Sequence, residues 1–285
     1  LKKIFHKCNF KIEIINSQNF EVKGIAINSK EIRNNFIFAA IKGENLNGED
    51  YIDGLLNLKN IAIILSKKSS KKINLKKYSQ MVFIKVDDVR LISSQISSMI
   101  YSNNIKKKFA VTGTNGKTSV ASYVHQIWEK ENSKSACIGT LGVKFKKKNF
   151  ANSSLTTPDA INNHKILSQL SKLGCEKVIY EASSIGLDQK RLHPLKFDVI
   201  AFTNLSKDHL DYHSNIKNYK ISKSLLFKFH SKKNSIAVIN TDSQFSEYFL
   251  EICREYNIKI LDFGKKANYL KIFEIKKFKN FFEVR

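Results

Sequence analysis

No run of about 18 or more apolar residues occurs in the 285-residue chain, so nothing in it reads as a transmembrane helix. The start, Leu1-Lys2-Lys3-Ile4-Phe5-His6-Lys7, is basic but lacks the apolar stretch and small-residue cleavage site of a signal peptide. The expected location is therefore cytoplasmic. Cysteine is sparse, and Cys8, Cys137, Cys175 and Cys253 stand too far apart for a metal knuckle or a redox pair. They read as reduced, mostly buried thiols. Proline is rarer still, with 2, and there is no internal repeat or low-complexity linker. Acidic residues are outnumbered 25 to 49 by Lys and Arg, giving a net charge of +24. That balance admits nucleic-acid binding, but the lysines fall in short scattered clusters such as Lys67-Lys68, Lys71-Lys72 and Lys106-Lys107-Lys108. A dedicated binder concentrates its cations in one stripe with interleaved aromatics and arginines. No nucleic-acid partner is expected, and the charge reads as solvated surface whose field attracts polyanionic nucleotides.

The length suits two compact domains. Residues 1–87 form a small α/β domain with buried strands in Asn35–Ile41, Ile61–Leu65 and Met81–Val86, a short strand at Gly24–Ser29, and a polar loop from Gly43 to Gly48. Residues 88–107 read as a linker that includes a helix, with Val89, Ile92, Ile96 and Ile100 at helical spacing. From 108 to 285 strands and helices alternate, with strands at 108–112, 135–139, 177–182, 197–203, 235–239 and 259–263. A helix over Thr118–Glu131 places Val120, Val124, Ile127 and Trp128 on one face. The pattern implies an α/β chain whose second domain is a doubly wound, mostly parallel sheet of the phosphate-loop type.

Three segments fall at strand ends, where open parallel sheets bind ligands. Gly113-Thr114-Asn115-Gly116-Lys117-Thr118-Ser119 joins a strand to a helix. There, backbone N–H groups and the helix N-terminus can cradle a phosphate, Lys117 can neutralise β/γ oxygens, and Thr118 can ligate Mg²⁺. The usual spacing wants a glycine where Val111 stands, so the loop is a shortened one. Glu181 ends the apolar run Val178-Ile179-Tyr180 and is placed either to hold a metal ion bridging nucleotide phosphates or to cap the polar loop Ser183-Ser184 that follows. Asp208, His209, Asp211 and His213 follow the strand ending near Thr203 and are consistent with a second metal site.

In this order the segments resemble the Mur ligases of the MurE type. The shortened loop Gly-Thr-Asn-Gly-Lys-Thr is shared by Mur ligases and folylpolyglutamate synthetases. Leu155-Thr156-Thr157-Pro158-Asp159, Glu181-Ala182-Ser183-Ser184 with Gln189 and Arg191, and Asp208-His209-Leu210-Asp211-Tyr212-His213 follow as in MurE-type enzymes. Asn240-Thr241-Asp242 is similar to the family's Asn-x-Asp element, and Asn28-Ser29-Lys30 with Asn35–Gly43 to its uridine-binding region. The resemblance implies a UDP-binding first domain and an ATP-binding central domain. It implies ATP and Mg²⁺ as cofactors, with Gly113–Ser119 on ATP and with Lys117, Glu181, His209 and Lys223 in the catalytic set. Thr118, Glu181 and His209 would ligate Mg²⁺, and Lys223 would be a carbamylated lysine. Thr156, Thr157, Ser183, Gln189 and Arg191 would grip the muramoyl-peptide, and Ser29 the uridine end. Asn28 and Ile185 depart from the family, which commonly has Asp and His there; neither is an expected phosphate or metal ligand.

The implied reaction is ATP-dependent amide ligation through an acyl phosphate, joining UDP-MurNAc-dipeptide to a diamino acid, meso-diaminopimelate or L-lysine. The first residue is not Met, and no Asp-Asn-Pro-Arg-like segment of a third, amino-acid-binding domain occurs. The expectation is thus a fragment, ending in strands of the central domain between Ile272 and Arg285, that does not complete ligation alone. A folylpolyglutamate synthetase-like ligase and a non-catalytic binding remnant stand as the alternatives.

Overall fold

The computed structural model describes residues 1–6, 12–43, 46–146 and 148–285. Cys8 and part of the loop expected at 43–48 lie outside the described residues. The chain divides into two compact units, residues 1–103 with 160–168, and residues 104–159 with 169–285.

The first unit opens with α1 (Lys2–His6) and β1 (Glu13–Ile15). It continues through β2 (Gly24–Ala26), β3 (Phe36–Ala39), β4 (Ile61–Ser66) and β5 (Met81–Val86) to α2 (Val89–Ile100). The sheet order is β1-β5-β4-β3-β2, parallel except for β1. Strands β3 to β5 bury residues of both alternating sets, which is why they read as unbroken apolar runs. One face packs Ile25, Ile37, Ile64 and Ile84 against Ile92 and Ile96 of α2. The opposite face packs Phe38, Ile63 and Phe83 against Ile52, Leu55 and Tyr78. Most of the segment 88–107 is thus helix, its start capped by the Asp88 carboxylate accepting from Leu91 N–H at 2.9 Å.

The second unit begins with β6 (Lys107–Thr112), α3 (Lys117–Lys130), β7 (Ser135–Gly139), β8 (Gly142–Phe145) and β9 (Lys148–Ala151). Helix α4 (Ala160–Lys172) is shared between the two groupings. Then come β10 (Lys177–Glu181), α5 (Ser184–Asp188), β11 (Phe197–Phe202), α6 (Leu210–His213) and α7 (Ile216–His230). The chain closes with β12 (Ser231–Asn240), α8 (Ser246–Glu255), β13 (Lys259–Gly264), β14 (Leu270–Lys271), β15 (Ile275–Lys277) and β16 (Phe282–Val284). The sheet order is β14-β13-β12-β11-β6-β10-β7-β8-β9. Its strands are parallel from β14 through β7, and the hairpin β8–β9 adds two antiparallel strands at one edge. Successive strands are laid to either side of β6, so the order reverses there and a crevice opens at the carboxyl ends of β6, β10 and β11.

This is the mixed α/β, mostly parallel architecture expected from the alternation, with three differences. The hairpin β8–β9 was not anticipated. The strands expected at the chain's end exist, but β15 and β16 pair only with each other rather than extending the large sheet. Ile127 was expected on the buried face of α3 and is 56% exposed. Trp128 is buried, Val120 and Val124 pack partly buried against the core, and Ala121 and His125 also turn inward, His125 with a partner in the Ser135 hydroxyl at 2.9 Å.

Candidate functional site

The loop between β6 and α3 is shaped by the strand beside it. Gly113 has φ +153°, and a Cβ there would lie 1.9 Å from Thr203 Oγ1. Thr203 Oγ1 donates to Asn115 O at 2.6 Å, Asn115 N–H donates to Asn204 Oδ1 at 2.9 Å, and Asn240 Nδ2 reaches Thr203 O at 2.8 Å. The ends of β11 and β12 therefore hold the loop from behind, leaving its other side to a cavity of about 230 Å³. Thr114, Asn115, Gly116, Lys117, Thr118, Ser119, Thr140, Thr156, Glu181, Ser183, Ser184, His209 and Lys223 line it.

Two lysine side chains converge on this loop. Lys117 Nζ donates to Gly113 O at 2.9 Å and Thr114 O at 2.8 Å, and Lys223 Nζ donates to the same Gly113 O at 2.7 Å. Lys223 projects from α7, is 1% exposed, and lies 4.3 Å from the Tyr219 ring centroid. Burial, and then the neighbouring charge of Lys117, hold the Lys223 amine well below its ordinary range. Burial also lowers Lys117, against the pull of Glu181 and Asp208.

Opposite them, Glu181 is 1% exposed at the end of β10. It accepts from Thr118 Oγ1 at 2.7 Å, Thr140 N–H at 2.9 Å and Thr140 Oγ1 at 3.0 Å. Gly139 makes room for this: a Cβ there would lie 2.0 Å from Glu181 Oε1. The adjoining Thr156 Oγ1 is 3.1 Å from Thr140 Oγ1.

The other candidates are arranged differently. Thr157 is fully buried and does not line the cavity. Its hydroxyl donates to Glu181 O at 2.7 Å and accepts from Ser183 N–H at 3.0 Å. Ser183 caps α5 by accepting from Gly186 N–H at 3.1 Å. Arg191 forks onto Gln189 Oε1 at 2.8 and 3.2 Å and donates to Thr157 O at 2.9 Å, so Gln189 and Arg191 brace the segment behind Thr157. Ser29 lies in the first unit, in a turn where Asn28 Oδ1 accepts from Lys30 N–H at 3.0 Å.

The cluster 208–213 does not converge as a second metal site. Among the described residues no three His, Cys, Asp or Glu side chains are grouped to hold a metal ion. His209 stands beside Asp208 at 3.5 Å and faces the cavity, whereas His213 is buried, with its Nε2 3.0 Å from Ser184 Oγ and its Nδ1 3.3 Å from Ser222 Oγ. Those two hydroxyls occupy both ring nitrogens and remove His213 as a ligand. Cys137, Cys175 and Cys253 are buried free thiols, pushed up to about 12, 11 and 12 by burial, which keeps them unreactive. No helix among the described residues is long and apolar enough to cross a membrane.

Sequence reasoning missed Thr140 as a lining residue, whereas Ser184, part of the polar loop expected after Glu181, does line the cavity. Thr140 follows a strand whose neighbour in the sheet ends at Glu181, and that adjacency is visible only once the strand order is known.

Residues 111–285 match the Mur ligase middle domain, and residues 21–110 match the Mur ligase family, catalytic domain. The chain is similar to UDP-N-acetylmuramoyl-L-alanyl-D-glutamate–2,6-diaminopimelate ligases. It shares 38% identity with that of Rickettsia conorii, over 88% of this chain and 52% of the relative. With that of Brucella melitensis it shares 36%, over 93% and 54%. The chain thus spans about half the length of the curated relatives it matches. Among solved structures it shares the fold of a diaminopimelate ligase of the same name, with TM-score 0.71 and 24% identity over 89% of this chain and 51% of the other. It also shares the fold of MurF from Acinetobacter baumannii, with TM-score 0.60 and 17% identity over 90% and 51%.

Proposed function

The chain belongs to the Mur ligase family, and from that premise we propose that it is the nucleotide- and muramoyl-substrate-binding part of an ATP-dependent ligase. That ligase adds diaminopimelate to UDP-N-acetylmuramoyl-L-alanyl-D-glutamate. The observation that carries the reading is the cavity in which a glycine loop, the half-buried Lys117, the buried Lys223 and a clamped carboxylate meet at the carboxyl ends of β6, β10 and β11. The names of the relatives favour diaminopimelate as the incoming amino acid.

In this reading the N–H groups at the start of α3 receive the nucleotide phosphates. Lys117 exchanges its bonds to Gly113 O and Thr114 O for β/γ oxygens. A terminal carboxylate of the muramoyl peptide attacks the γ-phosphorus, ADP leaves, and an acyl phosphate forms. The amine of the diamino acid then attacks the acyl carbon and phosphate departs with the C–O electron pair. Little covalent chemistry falls to the protein, so Lys117 and the loop act by positioning and by stabilising charge in a water-poor site. The Thr118 hydroxyl and Glu181 carboxylate, 2.7 Å apart, supply oxygen donors of the hard kind Mg²⁺ prefers. His209 lines the same cavity as a further candidate ligand. A Mg²⁺ ion held by these residues would neutralise phosphate charge. Thr156 and Ser183 face the peptide end, with Thr157, Gln189 and Arg191 as the wall behind them, and Ser29 takes the uridine end. Lys223 is the lysine to be carbamylated: burial favours the neutral amine, the form that adds CO₂.

Titration calorimetry with ATP, with and without Mg²⁺, tests the reading. Binding strengthened by Mg²⁺ and weakened at least about tenfold by Lys117→Met is expected, as loss of a charge-assisted contact implies. A chain that binds no nucleotide under any of these conditions sinks it.

A further inference from the structure

The Glu181 carboxylate accepts three hydrogen bonds, and most of the hold comes from one residue. Thr140 supplies two of its three side-chain hydrogen bonds, the amide onto Oε1 and the hydroxyl onto Oε2. The third comes from Thr118, whose hydroxyl is also a candidate for the cation itself. Thr140 also lines the cavity, and its hydroxyl lies within hydrogen-bond distance of both Glu181 and Thr156.

The direction of these bonds extends the argument. A hydroxyl has a single proton, and Thr140 gives its proton to the carboxylate. In the 3.1 Å contact with Thr156, Thr140 Oγ1 must therefore accept, and Thr156 must donate. The Thr156 proton is thus directed inward, and its two lone pairs are what the cavity meets. Thr156 is set to receive an N–H or O–H of a ligand, such as a peptide amide.

We propose that Thr140 is a positioning residue: it locks the rotamer of Glu181 for the cation and, through the same hydroxyl, orients Thr156 as an acceptor toward the peptide end of the substrate. The inference rests on the nucleotide-and-metal reading of the cavity. Thr140 is exposed and Thr140→Val preserves its shape and its amide, so the variant isolates the hydroxyl.

The test is calorimetric binding of the non-hydrolysable analogue β,γ-methylene-ATP to the chain, with Mg²⁺ and in EDTA. Thr140→Val should weaken the Mg²⁺-dependent affinity about tenfold, the scale of a hydrogen bond to a charged group, and leave the EDTA value unchanged. Thr140→Ser, which keeps the hydroxyl, should restore it. In a Glu181→Gln background Thr140→Val should add no further loss, because its effect runs through the carboxylate. Wild-type affinity in Thr140→Val, an equal loss in EDTA, or an undiminished loss in the Glu181→Gln background would each overturn the inference while leaving the nucleotide reading intact. A wild-type chain that binds the analogue without any response to Mg²⁺ overturns the metal reading, and the inference with it.

Discussion

In the first unit, strands β3, β4 and β5 bury aliphatic and aromatic side chains on both faces. The second unit encloses a carboxylate, Glu181, and an amine, Lys223, each 1% exposed. Two buried serines of α2 in the first unit answer their own helix: Ser93 Oγ donates to Val89 O at 2.6 Å and Ser97 Oγ to Ser93 O at 2.7 Å. In the second unit the buried groups at the crevice instead reach across the fold, Lys223 to Gly113, Thr157 to Glu181 and His213 to Ser184. Apolar burial stabilises in proportion to area, whereas an isolated buried charge costs stability and persists for another reason. The contrast separates a unit whose interior is spent on folding from one whose interior is arranged for chemistry.

The largest effect that sharpens this comparison belongs to the apolar unit. Phe83 is fully buried and packs edge-on to Tyr78 with ring centroids 5.4 Å apart. Phe83→Ala should cost about 3–5 kcal/mol by transfer and cavity terms together. The chain's single tryptophan, Trp128, lies in the second unit, so its fluorescence should follow that unit while far-UV circular dichroism shows an earlier loss. If Phe83→Ala leaves the first transition in place, the apolar account of this unit is wrong.

A smaller effect, of different origin, is expected in the second unit. His230 is 3% exposed, its Nδ1 donates to Leu195 O at 2.8 Å, and burial pushes its pKa from 6.5 down to about 4. Below about pH 6.5 the unfolded chain takes up a proton that the folded chain refuses, so stability falls as pH drops and levels off once the folded histidine also titrates near 4. A depression of that size corresponds to about 3 kcal/mol across the window. His230→Asn keeps a donor for Leu195 O and removes the titration. Denaturation followed by Trp128 should lose most of its slope between pH 6.5 and 4 in this variant. An unchanged slope would place the acid sensitivity elsewhere.

The same contrast explains how much could be read before the fold was known. Strands buried on both faces, such as Ile61–Ser66, announce themselves as apolar runs, and the glycine loop before Lys117 carries its chemistry in local order. Thr140 does not, because its meaning depends on β7 lying beside β10. The hairpin β8–β9 had a signal in Val143-Lys144-Phe145, whose alternation was masked by the lysines that follow. Ile127 shows the limit of periodicity on a helix where small and polar residues face inward. His213 shows that residue type and spacing name possible ligands, while the Ser184 and Ser222 hydroxyls decide which nitrogens remain available.

The smallest expected effect concerns the helix that carries Lys223. Helix α7 starts at Asn215, whose Oδ1 accepts from Asn218 N–H at 2.9 Å, and Asn218 Nδ2 in turn donates to His213 O at 3.0 Å. Removing such a cap costs about 1 kcal/mol. If α7 is held by its buried face, through Tyr219, Leu226 and Phe227, then Asn215→Ala should lower stability by that amount and leave the environment of Lys223 intact. Its reactivity toward an amine-directed label, compared in wild type and variant, should then be equally slow. Faster labelling in Asn215→Ala would mean that the cap, and not the apolar packing, keeps the buried amine in place. The division between folding interior and chemical interior would then run through α7 itself.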